Sequence, residues 1–304
     1  MINLGIKNSQ RNLSSFLKPL YAKIIKLLSG HGIGDIRLIR TFHNFIISHL
    51  KSNFAVVHGH KMFLDTNDSL NLSMTRVYEP GTTSLVEKYV KKGDMVLDIG
   101  ANIGYYTLLF AKLVGEEGRV FAFEPDVDNF ILLRKNVELN GYKNVLIEQK
   151  AVSDRNERIN LYLSQNNAGV RRIFKLNDDK CKYKTDRIDE VNAIRLDDYF
   201  KNYSNRIDFI KIDVEGAEWV VVRGMQKLLC LNKGVKVVTE FWPMGLINFG
   251  VKPVSYLKFF LDLGFNLYNI KQQEKSVEKV NIDEILMAYP DYIDVHTNLL
   301  CVRE

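Results

Sequence analysis

Apolar and polar positions divide the middle of the chain into short apolar runs and longer helix-like segments. Met95–Ile99 and Val120–Phe123 are almost wholly apolar, and the apolar segment Tyr105–Val114 between them is compatible with a helix. Short continuous apolar runs are typical of strands buried on both faces, and strands that alternate with helices form parallel sheets. The pattern therefore predicts an α/β fold built on a doubly wound sheet.

The alternation continues toward the C-terminus. A helix is predicted to begin at Asp126 and to stop at Asn140 and Gly141, and a later one covers Pro253–Leu263. The remaining predicted strands are Val145–Ala151, Ile207–Ile212, Val235–Thr239, Phe265–Ile270 and Thr297–Val302. Outside this core, Phe54–Asp65 is predicted to form a hairpin, Arg158–Leu163 an edge strand and Lys271–Asp294 a charged, irregular connection.

A small-residue turn, Gly100–Gly104, joins the first central run to its helix, and acids follow both runs. Asp98 lies near the end of the first run and Glu124 directly after the second. Glycines let the backbone approach a ligand closely, and a helix start offers unpaired N–H groups. An acid after the next strand can accept both hydroxyls of a ribose. The layout predicts a nucleotide pocket at the carboxyl ends of parallel strands.

Two common nucleotide motifs are absent. The dinucleotide fingerprint G-x-G-x-x-G fails because Asn102 and Tyr105 occupy its second and third glycine positions, which disfavours a dehydrogenase. The P-loop is absent because no Gly-Lys-Ser/Thr follows the turn.

What remains is D-I-G-A-N-I-G followed by F-E-P, and this pair resembles the class I S-adenosylmethionine-dependent methyltransferases. More narrowly, the chain resembles the FkbM family of O-methyltransferases over residues 76–302, where further motifs occur in order: YEPGTTSLVEKYVKKGD, NVELNGYKNV, AVSD, IDFIKIDVEGAE, VVTEFWP and TNLLCVR. The resemblance implies a Rossmann-like sheet of seven strands, mostly parallel with a C-terminal antiparallel hairpin. It also implies S-adenosylmethionine as the cofactor and a hydroxyl acceptor on a saccharide, glycolipid or natural product.

The resemblance also assigns candidate site residues. Asp98 is expected to bind the amino group of the cofactor, Glu124 its ribose, and the backbone of Lys150 and Ala151 its adenine. The full set of expected cofactor contacts is Glu79, Asp98, Gly100, Ala101, Asn102, Gly104, Tyr105, Glu124, Pro125, Lys150, Ala151 and Asp213.

An alcohol is a weak nucleophile at neutral pH, so a general base is expected beside it. The candidates are Asp213, Glu215 and Glu240, with His296 as a fourth. Carboxylates also suit Mg²⁺ or Ca²⁺, but no further ligand at a suitable spacing supports a metal site, and acids are common at helix starts. His58 and His60 flank a glycine in a predicted turn, where histidines are usually solvated. No metal is therefore predicted.

Composition adds bounds to this interpretation. The chain has 304 residues, of which 46% are hydrophobic, a net charge of +6 and three cysteines. These values favour one large domain in a reducing cytoplasm, permit an anionic partner without requiring one, and disfavour a disulfide framework. The longest apolar runs are too short for a membrane-spanning helix.

Two segments keep several interpretations. Residues 1–53 are predicted to be a helical extension of the 54–304 methyltransferase domain. A pair of helices packed on that domain is favoured over a membrane-surface helix, a partner-binding arm or a lid. The polar stretch 164–190 carries seven basic residues, and a basic collar for an acidic substrate and a solvated loop are equally supported.

Two alternative functions also stay open. An RNA methyltransferase is disfavoured because the chain has no aromatic-rich basic motif and no Asn-Pro-Pro-Phe/Tyr signature. A non-catalytic cofactor-binding scaffold is compatible with the retained glycines and acids, which indicate binding but not turnover.

Overall fold

A computed structural model describes residues 53–163, 171–173, 187–203 and 206–303. The predicted helical extension (1–53, apart from its last residue) and most of the predicted insert lie outside these residues. No helix in the described part of the chain is long and apolar enough to cross a bilayer.

Strands and helices alternate along the described chain. The strands are β1 (Phe54–Val57), β2 (His60–Phe63), β3 (Met95–Ile99), β4 (Arg119–Phe123), β5 (Val145–Glu148), β6 (Ala151–Val152), β7 (Glu157–Leu163), β8 (Arg171–Arg172), β9 (Arg187–Ile194), β10 (Phe209–Ile212), β11 (Lys236–Phe241), β12 (Asn266–Lys271), β13 (Ser276–Lys279) and β14 (Thr297–Val302). The helices are α1 (Leu72–Thr75), α2 (Pro80–Tyr89), α3 (Tyr105–Val114), α4 (Val127–Leu139), α5 (Leu196–Tyr199), α6 (Glu218–Gly224), α7 (Gln226–Leu231), α8 (Pro243–Asn248), α9 (Pro253–Asp262) and α10 (Ile282–Ala288).

The central sheet has eight strands in the spatial order β13-β12-β14-β11-β10-β3-β4-β5. Five neighbours in this order, β11, β10, β3, β4 and β5, are parallel to one another. Strand β14 is antiparallel to both β11 and β12. The predicted doubly wound α/β fold and its antiparallel C-terminal pair are confirmed.

The eighth strand, β13, replaces part of the connection predicted to be irregular. All residues of β13 are exposed, and the strand pairs antiparallel with β12 at the edge of the sheet. A strand exposed on both faces has no alternation of burial, so its sequence carries no period-two signal. Helix α10 follows it, held by a capping box between Asn281 and Glu284. The predicted seven strands and irregular connection are wrong on this point.

A second sheet has four strands in the order β6-β9-β7-β8. The predicted strand Val145–Ala151 is in fact divided, because β5 belongs to the central sheet and β6 to this one. Strand β7 lies between β9 and β8, so the prediction of an edge strand is wrong. Strand β9 begins at Arg187, so it includes the last residues of the stretch 164–190 that was predicted to be an insert loop. Alternation indicates that one face is buried, but it does not reveal how many neighbours a strand has.

Alternation along β3 explains how the two faces of the central sheet are filled. Leu97 and Ile99 enter one apolar cluster, whereas Val96 enters the other, which contains most of α3. Asp98 therefore points to the same face as Val96 and reaches Thr107 of α3. The strand is buried at every position, so the sheet is covered on both faces at the point where the acid lies.

Candidate active site

A cavity opens at the carboxyl ends of β3, β4 and β10. Gly100, Glu124 and Asp213, each the first or second residue after one of these strands, all line it. Parallel strands end at one edge of a sheet, and ligands bind there in open α/β folds. The cavity is therefore in the place that the sequence predicts for a nucleotide.

The turn after β3 needs its first glycine. Gly100 has a φ of 81°, and a Cβ on it would lie 1.9 Å from the carbonyl oxygen of Asp213. Its N–H donates to the carbonyl oxygen of Phe123 at 3.0 Å. This hydrogen bond ties the turn to the end of β4, and there is no room for a side chain at residue 100 toward the loop after β10. Ala101, Asn102 and Tyr105, the other predicted contacts of this segment, line the cavity too.

Gly104 has a different task from the one predicted. It does not line the cavity; it forms the N-cap of α3 with a φ of 96°, and a Cβ there would approach Leu133 of α4 to 2.8 Å. Gly104 thus allows α3 and α4 to pack closely.

Asp98 presents a buried acceptor to the cavity. Its side chain is 1% exposed, Oδ2 accepts a hydrogen bond from the Thr107 hydroxyl at 2.5 Å, and Oδ1 has no partner. Burial raises the pKa of Asp98 to about 6, although the nearby Lys211 ammonium and the Thr107 hydroxyl oppose the rise. A buried acceptor without a partner is costly unless a ligand supplies the donor. The residues therefore fit a ligand that carries an ammonium group.

Glu124 also lines the cavity, and backbone N–H groups hold its carboxylate. Its Oε2 accepts from the N–H of Asn102 at 2.8 Å, and its Oε1 accepts from the N–H of Asp126 at 3.0 Å. The carboxylate is thus held by the glycine turn and by the start of α4. Pro125, Lys150 and Ala151 continue the same wall, and the Lys150 ammonium is 2.8 Å from Glu148.

The loop after β10 brings two predicted acids into the cavity. Asp213 and Glu215 both line it. Glu218 closes the loop, because its Oε1 accepts from the N–H groups of Val214 at 3.1 Å and Gly216 at 3.2 Å. Burial raises the pKa of Glu218 to about 7, and the neighbouring Asp213 adds to this rise. Glu218 is a structural residue of the loop.

Two further predicted acids, Glu79 and Glu240, do not line the cavity. The carboxylate of Glu79 accepts from the Tyr106 hydroxyl at 2.8 Å and from the amide of Asn298 at 2.6 Å. Glu240 lies 3.9 Å from the ring of His296. Burial, with the charges of Asp213 and other acids, raises the pKa of Glu240 well above its ordinary value.

The two hairpin histidines face different tyrosines. His58 contacts the hydroxyl of Tyr105 at 3.0 Å, and His60 contacts that of Tyr142 at 2.6 Å. Within the described ranges no group of three or more His, Cys, Asp or Glu side chains could hold a metal ion.

Lys211 was not predicted. Its side chain is 3% exposed, lines the cavity, and places its ammonium 2.9 Å from Oδ2 of Asp213. The signal in the sequence is a lysine inside the otherwise apolar strand Phe209–Ile212, since lysine is almost never fully buried unless it is paired.

Together, the largely parallel sheet, the glycine turn and the carboxylate after β4 define the class: this is a Rossmann-like, class I methyltransferase fold. The FkbM methyltransferase domain matches residues 98–267, which is more than half of the chain. The chain therefore belongs to the FkbM methyltransferase family, a group of S-adenosylmethionine-dependent enzymes. The family resemblance in the sequence is confirmed.

Relatives are distant. Methyltransferase 1 of Beauveria bassiana is 28% identical over 145 residues, which cover 43% of this chain and 57% of that protein. The match thus spans little more than half of that relative. The solved methyltransferase FkbM of Methylobacillus flagellatus aligns over 77% of this chain and 52% of its own, with 14% identity and a TM-score of 0.41. An O-methyltransferase of Thermotoga maritima aligns over 82% of this chain and 77% of its own, with 16% identity and a TM-score of 0.41.

Proposed function

We propose that this protein transfers the methyl group of S-adenosylmethionine to a hydroxyl oxygen of a saccharide, glycolipid or natural product. The observation that carries the proposal is the unpartnered Oδ1 of buried Asp98 in a side chain that lines the cavity. The amino group of the cofactor is a cationic donor that would satisfy this atom, and hydrogen bonds to charged groups are the stronger ones.

The wall of the cavity offers a partner for each part of the cofactor. S-adenosylmethionine supplies an electrophilic methyl group. The protein therefore has to bind the cofactor, orient the acceptor hydroxyl and accept its proton. Asp98 would hold the amino group and Glu124 the ribose hydroxyls. The segment of Lys150 and Ala151 would face the adenine. Close approach along the turn depends on Gly100.

Asp213 and Glu215 are the candidates to take the proton of the acceptor hydroxyl as the new C–O bond forms. Both line the cavity, whereas Glu240 does not. Of the three acids proposed from the sequence, the first two are the better supported.

Binding tests the cofactor. Calorimetry of the purified protein with S-adenosylhomocysteine should give a measurable heat, and NAD should give none. Glu124→Ala should weaken S-adenosylhomocysteine binding about tenfold or more, since a charged acceptor of two hydroxyls is lost. No heat with S-adenosylhomocysteine, or unchanged affinity in the variant, would overturn the assignment.

Transfer tests the acceptor. The protein is incubated with methyl-labelled S-adenosylmethionine and the separated glycan, lipid and RNA fractions of a cell extract. Label in glycan or glycolipid supports the proposal, label in RNA replaces it with an RNA methyltransferase, and label in none supports a non-catalytic scaffold.

The general base needs its own variants. Asp213→Asn should lower kcat about 10²-fold while S-adenosylhomocysteine still binds near neutral pH. Glu240→Gln should lower it far less. Unchanged turnover in the Asp213 variant removes that residue from the mechanism.

A further inference from the structure

Lys211 lies in the middle of the central sheet, among the acids of the cavity. Its neighbours in the parallel register are Asp98 on β3 and the apolar Val238 on β11. Its ammonium is 2.9 Å from Asp213 and 4.6 Å from the centre of the Tyr106 ring on α3. The group is therefore enclosed by the two adjacent strands, by the loop after its own strand and by α3.

The charged groups that face Lys211 come from three elements. Asp213 lies on its own strand end, Asp98 on β3, and Glu79 at the N-cap of α2. Burial by itself lowers the pKa of Lys211, but these three acids together raise it above its ordinary value. The Tyr106 hydroxyl donates a hydrogen bond to the carboxylate of Glu79. One ammonium group thus lies near three carboxylates, of which Asp98 is fully buried and Asp213 is 21% exposed.

This arrangement needs an explanation, because a buried ion pair is costly to form and seldom adds net stability over apolar side chains. An apolar residue in the strand would pack against Phe209 and Tyr106 without that cost. Such a residue would also leave Asp98 and Asp213 as two like charges in a site of low polarity. Asp98, the more buried of the two, would then take up a proton, as one member of a close carboxyl pair does.

We propose that Lys211 is a positioning residue whose buried ammonium group pairs with Asp213 and keeps Asp98 as an anion at the cavity wall, ready for a cationic ligand. The inference rests on the proposed function, since it assumes that Asp98 receives the amino group of the cofactor. Lys211 acts through the two carboxylates.

The test compares Lys211→Met with Lys236→Met by calorimetry with S-adenosylhomocysteine from pH 6 to pH 8.5. Lys236 is a matched control, because it is a lysine of the neighbouring strand whose ammonium lies 5.6 Å from the Tyr89 ring, away from the cavity. At pH 7 the Lys211 variant should bind about tenfold or more weakly than wild type. Its affinity should recover by up to about tenfold per pH unit as the retained proton leaves Asp98. The Lys236 variant should follow wild type.

A merely structural lysine gives another result. A Lys211→Met protein that is weakened equally at every pH, or that binds like wild type, overturns the proposal. Lys211→Arg keeps the charge and should keep the pH profile of wild type. If wild type itself does not bind S-adenosylhomocysteine, the proposed function fails; if wild type binds and the Lys211→Met profile is parallel to it, only the role of Lys211 fails.

Asp213→Asn provides a test that leaves Lys211 in place, should Lys211→Met not fold. The charge of Asp213 raises the pKa of Asp98, and its removal also leaves the ammonium to Asp98 alone. The acid limb of S-adenosylhomocysteine binding should therefore move to lower pH than in wild type. An unchanged limb, or one at higher pH, contradicts the proposal.

Discussion

At the end of the site formed by β3 and β4, backbone N–H groups hold the carboxylate of Glu124. At the other end, after β10 and on β11, the acids Glu218 and Glu240 lie outside the cavity and near Asp213. Glu218 and Glu240 each keep one buried oxygen without a partner, and burial raises the pKa of both. The first end is built to hold a ligand in one place. The second end carries carboxyl groups whose pKa burial raises, beside Asp213 and Glu215, which do line the cavity.

Lys211 marks the boundary between the two ends. It pairs with Asp213 and is the register neighbour of Asp98, so one cation influences both the candidate cofactor-binding carboxylate and the candidate base. Burial is the largest cause of the raised pKa of Asp98, Glu218 and Glu240, and the neighbouring charges and hydrogen bonds then add to that rise or oppose it.

Gly100→Ala should have the largest effect, because a side chain at residue 100 would force apart the turn after β3 and the loop after β10. The new Cβ would lie 1.9 Å from the carbonyl oxygen of Asp213, at a φ of 81°. We expect a loss of about 2–4 kcal/mol in the free energy of unfolding and no measurable S-adenosylhomocysteine binding. Gly141→Ala is the control, since its φ is 73° but nothing lies within 4 Å, and it should cost only about 1 kcal/mol. Equal losses in denaturant titrations of the two variants would contradict the packing argument.

Asp98→Asn should separate binding from stability. Loss of the charge removes a charge-assisted bond to the ligand, so S-adenosylhomocysteine should bind about 10²-fold more weakly. The unliganded protein should become about 1–3 kcal/mol more stable at pH 7.5, because a buried anion is replaced by an amide.

Asp126→Asn is the matched control for that change. Asp126 is also buried, but it caps α4 by accepting from the N–H of Asn129 and does not line the cavity. Asparagine caps helices about as well as aspartate, so binding should be unchanged. If Asp98→Asn binds as tightly as this control, Asp98 does not hold the ligand.

The pH dependence of Asp98 has a defined sign. Its pKa in the folded protein is about 6, above the ordinary 3.8, so the folded state holds the proton more tightly. Between these two values this contribution to the free energy of unfolding falls as pH rises, by about 3 kcal/mol in all. Ligand affinity runs the other way and is lost below about pH 6. Subtracting the unfolding curves of Asp98→Asn from those of wild type isolates the effect, and a difference that grows with pH in the stabilising sense would refute it.

The sequence predicts one half of the site better than the other. Continuous apolar runs identify β3 and β4. The turn after β3 and the acids at the two strand ends then indicate Gly100, Asp98 and Glu124, because these residues lie within about 30 positions of one another. The second half depends on contacts that cross the chain. Glu79 is held by Asn298, a separation of 219 residues, and no local pattern reveals such a pair.

The same limit explains the missed lysine and the missed strand. Lys211 departs from its apolar surroundings, but only the register with β3 shows that its neighbour is Asp98. Strand β13 lies at an edge with every side chain exposed, so it exists through backbone pairing and leaves no hydrophobic pattern to read.

Glu218→Gln should have the smallest effect. It tests whether the loop after β10 tolerates loss of the Glu218 charge. The amide oxygen can still accept from the N–H groups of Val214 and Gly216, and the amide nitrogen replaces an oxygen that has no partner. With a pKa of about 7, Glu218 is already partly protonated at neutral pH, so the change in the free energy of unfolding should stay within about 1 kcal/mol. Glu218→Ala leaves two amides without an acceptor and should cost about 2 kcal/mol or more by thermal unfolding. Similar losses in both variants would mean that the charge of Glu218, rather than its hydrogen bonds, holds the loop.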